Sequence, residues 1–138
     1  MTTHSCPTTT LASLLLGLSL SGCVSGLSEN VVPPVFSPGE LNKRSKELDG
    51  VELTVHGFVV HEPEAYGIWD NEAAERDGDA TRCVSLQYPE ALQRQVTSAN
   101  RTHAYLLGVF HRDVTAGGGL FLGLCNFSGV TVTSVVHE

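Results

Sequence analysis

The chain has 138 residues and a formal charge of −7, from 15 acidic against eight basic residues, with 41% hydrophobic and 7% aromatic positions. A chain of this size buries roughly 60–70% of its unfolded surface, enough for one core and not for two. Its acidic balance repels phosphate backbones and anionic headgroups, which excludes a general nucleic-acid-binding role.

Residues 1–22 contain no Asp, Glu, Lys or Arg, and residues 11–20 read LASLLLGLSL. A stretch this short cannot cross the roughly 30 Å of bilayer hydrocarbon, for which a helix needs about 20 residues, but it suits the apolar segment of an export signal. At its end stand Leu20, Ser21, Gly22 and Cys23, a run that resembles the lipobox of bacterial lipoproteins. The resemblance covers the leader and these four residues, and residues 1–10 (MTTHSCPTTT) depart from it in carrying no Lys or Arg. It implies a signal peptide over 1–22, cleavage after Gly22, and a membrane anchor through a palmitate-type lipid on Cys23. Val24, standing where Asp would retain a lipoprotein at the inner membrane, implies the outer membrane of a Gram-negative cell, with the domain facing the periplasm or the surface. The competing reading is an apolar helix of the fold with an ordinary buried Cys23, and the break after Gly22 into Ser, Gly and Pro argues against it.

With Cys6 in the leader and Cys23 acylated, Cys83 and Cys125 remain of the four cysteines. In an oxidising envelope such a pair forms a disulfide that stabilises by roughly 2–4 kcal/mol. The alternatives are two buried thiols or a metal site shared with histidines, but neither cysteine sits in a CxxC or other zinc-ligand spacing.

Residues 23–39 turn to Ser, Gly and Pro and close on VVPPVFSPG. Consecutive prolines favour an extended polyproline II conformation, so this stretch reads as a tether for a domain over 40–138. A short helix follows, with Ser37 as N-cap, Pro38 at its first position, Glu40 completing a capping box, Leu41 and Leu48 on its apolar side, and Gly50 as its stop. Residues 51–60 (VELTVHGFVV) alternate apolar and polar until Gly57, where the alternation shifts, which predicts a strand with a glycine bulge or bend.

Residues 66–70 (YGIWD) and 82–88 (RCVSLQY) predict the second and third strands, the latter with Cys83, Val84 and Leu86 turned inward. Between them lies an acidic loop. Pro89 opens a helix, PEALQRQVTSA, with Leu92 and Val96 on one face. Residues 102–111 (THAYLLGVFH) predict a long apolar strand, 113–119 (DVTAGGG) a turn, 120–126 a returning strand, and 129–136 (GVTVTSVV) the last strand.

This order resembles the OB-fold, a small Greek-key barrel. The predicted architecture is mainly β: an OB-like barrel of about five strands, one helix between the third and fourth, and a short N-terminal helix. The segments LDGVELTVHGFVV and THAYLLGVFHRD look like the first and fourth strands of OB-like domains of bacterial envelope proteins. Another small antiparallel barrel or a sandwich of the same strands is the alternative.

Of the histidines outside the leader, His56 and His61 lie closest in sequence, but five residues apart they face opposite sides of a strand unless a bulge at Gly57 restores the phase. No HExxH, HxH or Cys-His cluster is present, so no metal ligand is assigned. The acidic stretch 62–79 carries Glu62, Glu64, Asp70, Glu72, Glu75, Asp77 and Asp79 beside Arg76, without the twelve-residue EF-hand pattern, and reads as a solvated loop. Tyr66 and Trp69 beside it are the candidate ligand-binding residues, because aromatic rings at the loops of an OB-like barrel serve recognition, the alternative being that Trp69 caps the barrel core. GxSxG, SxxK and Cys-His nucleophile patterns are absent, and Gly117, Gly118 and Gly119 lack the GK[ST] of a phosphate loop.

The expectation is a non-catalytic envelope lipoprotein, without a cofactor, that binds a protein, peptide or glycan partner or serves a structural role. The alternative is a small metal-binding protein or enzyme using His56, His61 and the acidic loop 62–79.

Overall fold

The computed structural model describes residues 33–63, 65–116 and 125–138. The expected leader, Cys23 and most of the expected tether lie outside the described residues, as do Glu64 and nearly all of the strand expected over 120–126. Among the described residues, no helix is long and apolar enough to cross a membrane.

The chain is mainly β, and the described residues form six strands: β1 (Val35–Phe36), β2 (Glu52–Glu62), β3 (Ala65–Trp69), β4 (Cys83–Gln87), β5 (His103–His111) and β6 (Gly129–His137). They form one sheet in the order β1-β2-β3-β4-β6-β5, and β5 also pairs with β2, so five strands close a ring of hydrogen-bonded neighbours. Around the ring β4 and β6 run parallel and the other pairs antiparallel. β1, within the stretch read above as tether, pairs in parallel with Thr54 and Val55 of β2.

The first helix starts where Ser37 and Pro38 place it. The Ser37 amide donates to the Glu40 carboxylate at 2.8 Å and the Glu40 amide to Ser37 Oγ at 3.3 Å, which satisfies two of the unpaired groups at a helix start. The helix breaks at Arg44 into α1 (Pro38–Lys43) and α2 (Ser45–Leu48), and Leu41 and Leu48 are both buried. The acidic stretch is more ordered than a solvated loop: Asn71 Oδ1 accepts from the Ala74 amide and caps α3 (Glu72–Arg76), and a 3₁₀ turn spans Ala80–Arg82. Ala and Glu after an Asn cap are good helix formers, a signal that the density of charge obscured. After Pro89, a 3₁₀ turn (Glu90–Leu92) leads into α4 (Gln93–Ser98).

Strand β2 corrects the expected shift at Gly57. Its pairing with β5 runs unbroken from Glu52 to Phe58, and its pairing with β3 from Phe58 to Glu62. Leu53, Val55 and Val59 all face the main core, with Ile68, Val84, Leu86, Leu106, Phe110, Val130 and Val132. Phe58 and Val60 are apolar because the opposite face is covered too, by Trp69, Ala74, Cys83 and Cys125. A period-two strand buried on both faces loses its alternation without changing phase. Gly57 is demanded by a close approach, since a Cβ there would run into the Trp69 carbonyl. The register shift lies elsewhere: Leu107 pairs with Ser134 and Gly108 with Val132, leaving Thr133 of β6 as the extra residue.

Candidate functional site

Cys83 and Cys125 form a disulfide with their Cα atoms 5.2 Å apart, within the range a disulfide spans. Val84 and Leu86 face the main core as expected, but Cys83 faces the outer cluster, where Trp69 packs at 3% exposure. Trp69 is thus buried apart from the main core and does not cap it; it covers the outside of the ring beside the disulfide. The bridge secures the segment before β6, which polar contacts also hold. Asn126 Nδ2 donates to the Ala80 carbonyl at 3.1 Å, Ser128 Oγ donates to Asn42 Oδ1 at 2.6 Å, and Asn42 Nδ2 donates to the carbonyls of Thr81 and Cys83.

Tyr66 belongs to a different group. Tyr66 pairs across strands with His61, and with Tyr88 just beyond β4 the three rings cluster at one end of the core. His61 Nε2 and the Tyr88 hydroxyl share a 2.6 Å hydrogen bond, and the Tyr66 and Tyr88 rings meet edge to face with centroids 6.3 Å apart. Burial holds the Tyr88 phenol above the ordinary tyrosine value of 10.0, and Tyr66 adds to the shift. A shallow groove beside these rings is lined by Tyr66, Leu86, Gln87, Tyr88, Glu90 and Gln93. Tyr88 was not assigned from sequence, although its place two residues past the inward Leu86 puts it on the same strand face.

The carboxylates of the acidic stretch point to separate partners. Asp70 accepts from the buried Gly39 amide at 2.7 Å and from Arg82 Nε at 2.8 Å. Glu62 and Glu75 both pair with Arg101, at 2.6 and 3.1 Å. Asp79 accepts from the Thr81 hydroxyl, which lowers its pKa. These pairings leave no converging oxygen set of the kind that binds Ca²⁺ among the described residues of this stretch.

His56 and His61 do not meet. With β2 unbroken, their spacing sets them on opposite faces: His61 with Tyr66 and Tyr88, His56 with Tyr105 and His103. The His56 ring stacks on Tyr105 at 4.3 Å and lies 5.7 Å from the His103 ring. Its Nε2 stands 3.3 Å from Glu138 Oε1. One ligand-type atom from each of His56, His103 and Glu138 falls within 4.8 Å of the others. His103 and Glu138 were not assigned from sequence, because 47 positions separate His56 from His103 and only the β2–β5 pairing unites them.

Compared with known proteins, this chain matches no family model, no curated protein and no solved structure.

Proposed function

We propose that this protein is exported, anchored in the bacterial cell envelope through a lipid on Cys23, and acts there through a non-catalytic binding domain of OB-like type. The Cys83–Cys125 disulfide carries the reading: it accounts for the two cysteines that remain once residues 1–22 are removed and Cys23 is acylated, and such bonds persist in oxidising compartments. The OB-like assignment is supported by the ring order β2-β3-β4-β6-β5 with its single helix α4 between β4 and β5. The groove beside Tyr66 and Tyr88 is the binding surface, and with a formal charge of −7 its partner is a peptide, protein or glycan rather than a nucleic acid. Aromatic faces flanked by the amides of Gln87 and Gln93 suit apolar sugar faces and hydroxyls, or a peptide backbone.

The test is metabolic labelling of the full chain in a bacterial host with an alkyne fatty acid, followed by thiol alkylation of the unreduced protein. The expected result is label on the wild-type chain, none on Cys23→Ser, and alkylation of Cys83 and Cys125 only after reduction. Label on the Cys23→Ser chain, or free thiols at 83 and 125 in envelope-derived protein, overturns the reading.

A further inference from the structure

We propose that His56, His103 and Glu138 form a binding site for one divalent transition-metal ion of the zinc type. The site is built by strand pairing. His103 of β5 stands opposite Phe58 of β2, which places it diagonally next to His56 on the same face. On the other side of β5, Ala104 pairs with His137 of β6, so Glu138 continues that strand alongside His103. Three adjacent strands therefore deliver two imidazoles and a carboxylate to one spot on the outer face of the ring.

The donor atoms are nearly in place. A zinc ion about 2.1 Å from each of three tetrahedral ligands holds them about 3.4 Å apart. His56 Nε2 and Glu138 Oε1 already stand 3.3 Å apart, and all three donors lie within 4.8 Å of one another. A rotation of the exposed Glu138 or the half-buried His103 side chain closes the remaining gap, because neither is packed into the core.

His56 supplies a second, independent observation. Its Nε2 is shielded from water and makes no hydrogen bond, even with Glu138, despite the short separation. A shielded polar nitrogen without a hydrogen bond is costly, and a metal ion between it and the Glu138 carboxylate removes that cost. The stacked Tyr105 ring holds the imidazole plane in position, so little order is lost on binding.

The donor set selects the class of ion. Two imidazole nitrogens and one carboxylate oxygen suit zinc and its neighbours in the first transition row, whereas Ca²⁺ and Mg²⁺ take oxygen ligands almost exclusively. Three protein ligands leave a coordination position open, and the exposure of Glu138 gives it access to water.

The experiment is a Zn²⁺ titration of the untagged full-length chain against a chromophoric chelator, paired with thermal melts. The expected result is one equivalent of Zn²⁺ bound and a raised melting temperature. His56→Gln and His103→Gln each weaken binding by more than about tenfold, since even losing a residue that only orients a ligand costs about 10–100-fold, and His111→Gln leaves it unchanged. Glu138→Gln, at an exposed position without core packing, weakens binding likewise and serves as the readout should a histidine variant fail to fold. Absence of stoichiometric binding by the wild-type chain overturns the site, and so does wild-type affinity in folded His56→Gln, His103→Gln or Glu138→Gln protein.

Discussion

The sulfur of Cys125 occupies the space in which a side chain at Gly67 would begin: a Cβ built on Gly67 stands 2.6 Å from Cys125 Sγ and 3.1 Å from Cys83 Sγ. Gly67 lies in the middle of β3, paired with Val60 and Ser85, where glycine has no propensity advantage. Its value there is the room it leaves for the bridge. Gly67→Ala is expected to cost about 1–3 kcal/mol, as overpacking of a filled interior does. Loss of the bridge itself through Cys83→Ala with Cys125→Ala is expected to cost about 3–4 kcal/mol by chain entropy. Because the two changes share one space, they should not add: in the bridge-free background Gly67→Ala is expected to cost at least about 0.5 kcal/mol less. Urea denaturation of the four variants measures this, and strict additivity would show that the sulfurs do not set the requirement for glycine.

Asp70 ties three parts of the chain together, accepting from the Gly39 amide at the start of α1 and from Arg82 ahead of β4 while following β3 directly. Its side chain is 16% exposed and that of Arg82 43%, so the ion pair is partly screened and the buried amide bond carries more of the effect. Asp70→Ala is expected to destabilise by about 2 kcal/mol, since it leaves the Gly39 N–H unpaired, and Asp70→Asn by less, because its side-chain carbonyl still accepts that hydrogen. Equal losses from the two substitutions in chemical denaturation would place the effect on the charge pair instead.

Tyr88 predicts a pH dependence at the alkaline end. With its folded pKa raised above 10.0, the folded state keeps the phenol proton after the unfolded chain has released it. The contribution is fully present below about pH 10 and is lost as pH rises through the folded value, because ionisation then favours the unfolded chain. A spectrophotometric titration at the phenolate band is expected to show a late step that Tyr88→Phe removes. An unchanged titration curve in that variant would assign the late step to another residue.

Much of the architecture was legible because local rules carried it. The Ser37, Pro38 and Glu40 cap, the long apolar run of β5 and the run of β4 depend on near neighbours in sequence, and the structure places them as the pattern predicts. The disulfide was legible for a different reason, since the expected leader and lipidation of Cys23 would leave a single pair to join.

What only the tertiary structure decided was which faces are covered and which strands lie side by side. The sequence shows an apolar Phe58 and Val60 after Gly57 but cannot show that Trp69, Ala74 and the bridge cover them, so a doubly buried strand looked like one that had changed phase. Trp69 was recognisable as an aromatic beside an acidic stretch, yet its burial depends on that outer cover. Likewise His56, His103 and Glu138 carry no shared motif: their approach follows from β5 pairing with both β2 and β6, and strand pairing is a long-range choice made by the core as a whole.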